Sequence, residues 1–101
     1  MSGGDWKELY TSAQNGNFEI VKYHLSTGVD PNFQHPEFMT TPLIVAIEKQ
    51  HFEIAEYLLQ NGADPTIKED WGIQTPLSTA KATKNRKLIE LVEAHLQEHD
   101  K

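Results

Sequence analysis

The residues of this chain best suited to chemistry are five histidines and a scatter of hydroxyls. His95 and His99 stand four apart with Glu98 beside them. On a helix that spacing puts two imidazoles on one face, where they could share a metal ion. Two histidines without a third fixed ligand make a weak site, and the plainer expectation is a solvated helix tail. His24, His35 and His51 are spread along the chain and read as helix-face, loop and turn residues. Ser12, Ser26 and Ser78 have no evident base nearby in sequence to activate them. No nucleophile elbow, phosphate-gripping glycine loop or paired-carboxylate motif is present, and Gly3-Gly4 cradles nothing. Without cysteine there is no disulfide, thiolate zinc site or cysteine nucleophile. No cofactor, metal or catalytic residue is expected; a metal-dependent or hydrolytic enzyme would rest on the His95/His99 pair alone.

The elements that carry these residues must fit into 101 residues, room for one domain (1–101) with one continuous core. With 38% hydrophobic and 24% charged residues and no low-complexity tract, the composition is that of a soluble globular chain. No apolar run approaches the ~20 residues of a membrane span. The opening Met1-Ser2-Gly3-Gly4-Asp5 resembles neither a secretory signal nor a myristoylation site, so a cytoplasmic setting is expected. A net charge of −6 argues against nucleic acid or an anionic membrane as partner. The charge is uneven. Residues 1–70 hold 11 acidic and 4 basic groups, a balance of −7, whereas residues 71–101 hold 4 acidic and 5 basic groups, a balance of +1. Lys81, Lys84, Arg86 and Lys87 make up most of the basic side.

The strongest signal is an internal repeat at an offset of 34. Phe18-Glu19-Ile20 returns as Phe52-Glu53-Ile54, Tyr23 as Tyr57, Leu25 as Leu59, and Gly28-Val29-Asp30-Pro31 as Gly62-Ala63-Asp64-Pro65. From Phe18 to Pro31, 8 of 14 positions are identical at that offset. Thr41-Pro42-Leu43 recurs in the same phase as Thr75-Pro76-Leu77, and Ala46 as Ala80. Two motifs in one register leave little room for coincidence, and they divide the chain into repeats of about 5–40, 41–74 and 75–101.

Each block has a local physical reading. The threonine of Thr-Pro-Leu caps the free N–H groups of a helix start, and proline follows where its missing N–H costs nothing. The spacing predicts short first helices over 42–49 and 76–83, with Leu43, Ala46 and Ile47 facing inward. A tight turn leads to a second helix over 52–60, nearly encircled by Phe52, Ile54, Ala55, Tyr57, Leu58 and Leu59. A helix apolar almost all round needs neighbours on both sides, as a middle repeat has. Gly28 and Gly62 stand where a left-handed residue ends that helix. The stretches 32–40 and 66–74 then form projecting fingers.

This pattern resembles the ankyrin repeat: a Thr-Pro-Leu opening, two antiparallel helices, and the closing Gln60-Asn61-Gly62-Ala63-Asp64-Pro65. The resemblance covers about residues 5–98. It implies an all-α solenoid of three L-shaped repeats, with fingers and first helices forming a concave binding face, and it implies no catalysis. Histidine usually follows Thr-Pro-Leu in this family; here Ile44 and Ser78 stand there, so that polar stitching between repeats is expected to be absent. The family's glycine between the helices survives as Gly16 but is replaced by Gln50 and Lys84, each expected to cost on the order of 1 kcal/mol in a left-handed turn. The usual period is 33, so each finger looks one residue longer.

End repeats need a polar outer surface. In the first, Lys7-Glu8-Leu9 replaces Thr-Pro-Leu, and Lys22 and His24 dilute the second helix. In the last, Leu88, Leu91, Val92 and Leu96 form one stripe opposite Glu90, Glu93 and Gln97, which predicts a capping helix to about residue 98. Three repeats capped at both ends are expected to make a complete protein, and a monomer.

Function is therefore expected at the surface: a non-enzymatic adaptor or regulator that binds another protein, or alternatively a stoichiometric inhibitor of a partner enzyme. The fingers hold Phe33, Pro36, Phe38 and Met39, then Ile67, Trp71 and Ile73. Phe33 and Ile67, next to helix ends, are expected to pack finger on finger. Phe38, Met39 and Trp71, near the tips, suit either packing or a binding hot spot. By resemblance, Gln14, Asn15, Glu48, Lys49, Ala82 and Thr83 border the same face. Arg86 and Lys87 occupy the start of the third repeat's second helix, where Glu19 and Glu53 stand in the other two. Charge balance, steadied by Glu90, or a cationic patch with free helix N–H groups would account for that reversal.

Overall fold

The computed structural model describes residues 5–34, 37–69 and 74–99, at His99 for the backbone alone. These form six helices and, among the described residues, no strand: α1 (Asp5–Asn15), α2 (Phe18–Ser26), α3 (Pro42–Glu48), α4 (Phe52–Gln60), α5 (Pro76–Thr83) and α6 (Arg86–His99). Each consecutive pair is one repeat. The first helices α1, α3 and α5 pack in series as one layer, and α2, α4 and α6 pack in series as the other.

The helix starts follow from their first residues. Thr41 accepts from the Ile44 N–H and Thr75 from the Ser78 N–H, each followed by proline in the first turn. At Thr75 the cap is reciprocal, because the Ser78 hydroxyl accepts from the Thr75 N–H at 2.8 Å. Such a cap contributes about 1 kcal/mol. Between the helices, Gln50 and Lys84 both take φ of +61°, the left-handed turn foreseen where glycine is missing. The second helices of the first two repeats end at the Gly28 and Gly62 turns. Leu96 occupies that position in the third, so α6 runs on for 14 residues where α2 and α4 have 9.

The core is continuous through the stack. Leu9, Ala13 and Val21 of the first repeat join Leu43, Val45, Ala46, Ile47, Ile54, Ala55, Leu58 and Leu59 of the second, then Ala80, Leu88 and Val92 of the third. The middle repeat is the most enclosed, with every residue from Pro42 to Ile47 buried. Phe52, Tyr57, Leu91 and Leu96 pack against the core while remaining partly exposed.

One expectation needs correcting. His24 does not dilute an outer surface; it is 4% exposed, and its Nε2 meets Glu8 Oε1 on α1 at 2.5 Å. Its counterparts at the repeat offset are Leu58 and Val92, both fully buried, so the fold assigns this position to the core whatever the residue. The histidine after Thr-Pro-Leu is absent, as Ile44 and Ser78 imply, but other polar residues link the repeats. Asn32 donates to Gly62 O at 2.9 Å and accepts from the Asp64 N–H at 2.8 Å, and Gln34 donates to Lys68 O at 2.8 Å. His51 donates to Gln14 O at 3.0 Å, and Asn85 donates to Gln50 Oε1 at 3.2 Å. These links come from finger and turn residues.

Candidate functional site

The first helices and the finger bases form one side of the stack. Gln14, Glu48 and Ala82 occupy equivalent positions on α1, α3 and α5, followed by Asn15, Lys49 and Thr83. Asn15, Glu48, Lys49 and Ala82 are exposed, while Gln14 and Thr83 are half-buried. Between α3 and α5 lies a groove of about 310 Å³, lined by Glu48, Gln50, Gln74, Thr79, Ala82 and Thr83. Two hydrogen bonds stiffen its wall: the Thr79 hydroxyl meets Gln74 Oε1 at 2.9 Å, and the Thr83 hydroxyl donates to Ala80 O at 2.6 Å. The groove joins Glu48, Ala82 and Thr83 as the repeat spacing implies. Its other lining residues, Gln50, Gln74 and Thr79, carry no motif that would mark them in sequence.

At the first finger, packing and exposure coexist. Phe38 lies on α1, with ring centroids 5.3 Å from Trp6 and 4.6 Å from Tyr10. Phe33 meets Trp6 at 5.5 Å and stays 44% exposed. Trp6 and Tyr10 went unmarked in sequence, although an i, i+4 aromatic pair on the first helix was the available signal. Met39 is half-buried and takes φ of +58°, an uncommon state for a side-chain-bearing residue. Burial pushes the Tyr10 phenol pKa above its ordinary value, with further upward contributions from the Glu48 and Glu69 carboxylates. Trp71 and Ile73 lie outside the described residues.

Arg86 and Lys87 are exposed at the start of α6 and do not line the groove. The N–H groups there are not free: Asn85 Oδ1 accepts from Lys87 N at 3.1 Å and Leu88 N at 3.4 Å. Neither cation pairs with Glu90 among the described residues. Helix energetics at this end thus rest on the asparagine cap, and the two positive charges face solvent.

His95 and Glu98 flank a separate cleft of about 360 Å³, together with Leu59, Asp64 and Asn32. His95 Nδ1 donates to Leu91 O at 3.0 Å. Among the described residues no three histidine, aspartate or glutamate side chains are grouped to hold a metal ion, and the His99 side chain lies outside them. No described helix is long and apolar enough to cross a membrane.

Comparison with known proteins agrees with this architecture. The family model for ankyrin repeats, in 3 copies, matches residues 9–100. No curated protein matches the chain.

Proposed function

The chain belongs to the ankyrin repeat family, whose members are generally protein-interaction modules, and from that premise we propose an adaptor or regulator that binds one protein along its fingers and first helices. The observation that carries this reading is the groove between α3 and α5. Its lining is mostly polar and, apart from the buried Thr79 and half-buried Thr83, exposed. Glu48, Lys49, Gln14 and Ala82 form the floor and rim of the proposed surface. Phe38 and Met39 form its finger edge, to which Trp71 and Ile73 are assigned from the sequence alone, and Arg86 and Lys87 extend it at the turn of the third repeat. The strained backbone at Met39 supports a role for that finger, since such conformations concentrate at recognition sites.

The test is affinity capture from the source cell, with the parent chain and the groove-blocking variant Glu48→Arg/Ala82→Arg as baits. Both changes are at exposed positions, so the two baits are expected to melt alike. A protein retained by the parent and lost by the variant supports the reading. Equal retention by both would move the binding surface elsewhere.

A further inference from the structure

The first-finger end of this face has a chemistry that the groove lacks. Trp6 and Tyr10 lie one turn apart on α1, and Phe38 closes onto both at 5.3 and 4.6 Å. The rings are already packed, so little freedom is lost when a ligand joins them. They also stay partly open, with Trp6, Tyr10 and Phe38 half-buried.

Carboxylates converge on the same corner. The Gln34–Lys68 hydrogen bond ties the first finger to the second and so brings the next residue, Glu69, alongside. Glu48 comes from α3, which packs on α1. Both carboxylates act on the Tyr10 hydroxyl and, after burial, help to hold its proton in place. Lys49 and Lys68 adjoin them in sequence, yet neither pairs with Glu48 or Glu69 among the described residues.

We infer that this corner receives an arginine side chain from the bound protein, with the guanidinium stacked on the Tyr10–Phe38–Trp6 rings and its N–H groups directed to Glu48 and Glu69. This rests on the reading of the chain as a protein-binding module and names the partner's chemistry. Arginine fits better than lysine because its plane stacks on aromatic rings, its fork matches carboxylates, and it is less strongly hydrated than an ammonium. The surplus of −7 over residues 1–70 draws a basic segment towards this end of the stack.

The test uses the full ¹⁵N-labelled chain titrated with capped, unstructured peptides of repeated Gly-Ser-Arg, Gly-Ser-Lys or Gly-Ser-Glu. The arginine peptide is expected to shift the Trp6 indole and the Tyr10, Phe38 and Glu69 amides, and to bind more tightly than the lysine peptide. Glu48→Gln with Glu69→Gln is expected to weaken it roughly tenfold or more without lowering the melting temperature. Unmoved resonances, or equal binding by the double variant, overturn the site. Equal affinity for the lysine peptide overturns the choice of arginine. Capture of a protein partner by a chain that ignores the arginine peptide removes this site while leaving the binding-module reading intact.

Discussion

The ring of His51 rests on Gly16. A Cβ at Gly16 would lie 2.9 Å from His51 Cε1, and the same ring donates through Nε2 to Gln14 O at 3.0 Å. Gly16 also takes φ of +82°, which a side chain resists. One glycine thus serves its own turn and the seat of the next repeat. Gly16→Ala is expected to cost about 2 kcal/mol or more, from backbone strain and the clash together. In a His51→Ala background, which itself loses a hydrogen bond of about 1 kcal/mol, the clash disappears and the penalty shrinks. Urea titrations of the four proteins check this as a double-mutant cycle. A Gly16→Ala cost equal in both backgrounds would deny the contact.

The equivalent turns without glycine invite the opposite substitution. Lys84 at φ of +61° is exposed, and Lys84→Gly is expected to stabilise by about 1 kcal/mol through relief of left-handed strain. Gln50→Gly relieves the same strain but removes the Oε1 acceptor of Asn85, so its gain is smaller. Thermal melts that rank Gln50→Gly above Lys84→Gly would discount that inter-repeat bond.

His24 is a polar residue in an apolar position. Its Nδ1 is buried without a partner, while the partner of Nε2, Glu8, keeps 62% of its side chain in solvent. An unsatisfied buried nitrogen costs about 1–3 kcal/mol. His24→Leu, matching Leu58 at the repeat offset, is expected to raise the melting temperature despite the loss of the pair. Glu8→Ala in the parent, which strips the remaining partner, is expected to lower it. A His24→Leu chain that melts below the parent would show that the His24–Glu8 pair outweighs the apolar site.

These positions show what the sequence could reveal. Thr41-Pro42 and Thr75-Pro76 have short-range causes, a hydroxyl cap and a fixed φ, so the helix starts were readable locally. Left-handed Gln50 and Lys84 followed from counting against Gly16. At His24 residue polarity points to the surface, whereas position points to the core, as Leu58 at the same offset indicates. The links from Asn32, Gln34 and Asn85 are illegible in sequence for a different reason. They join residues 30 to 35 apart whose side chains meet only after stacking, and no local pattern encodes that meeting. The aromatic corner is similar: Phe38 was visible as a finger residue, but its seat on Trp6 and Tyr10 depends on how the finger folds back.

The core prediction concerns the middle repeat. Leu58 is fully buried and Leu59 is 7% exposed, both on α4, which packs on α2 and α6 of the neighbouring repeats. Leu59→Ala is expected to cost about 2–5 kcal/mol, and Leu58→Ala to lie at the upper end of that range. Because all three repeats share one core, the loss is expected as a single shifted transition by circular dichroism and by tryptophan fluorescence. Separate transitions by the two probes would mean that the repeats unfold independently.

The charge reversal at α6 separates helix energetics from recognition. In α2 and α4 an acid, Glu19 or Glu53, stands in the first turn, where a carboxylate gains roughly 0.3–1 kcal/mol from the helix dipole. In α6 the same turn carries Arg86 and Lys87, with no acid in it. Asn85 already satisfies two of the N–H groups, so the cations are not required by the cap, and Glu90 does not neutralise them. Arg86→Glu with Lys87→Glu is therefore expected to stabilise the chain by about 1 kcal/mol, both new carboxylates lying on the favourable side of the dipole. If the patch meets an acidic segment of the partner, the same variant associates more slowly, since rim charges act mainly on the association rate. The measurement is the association rate with the captured partner, for parent and variant, across a range of salt. Added salt is expected to slow the parent more than the variant, because two attractive charges have become two repulsive ones, whose screening by salt favours association. Parallel salt dependences, with stability raised as expected, would show that Arg86 and Lys87 balance the charge of an acidic protein and take no part in binding.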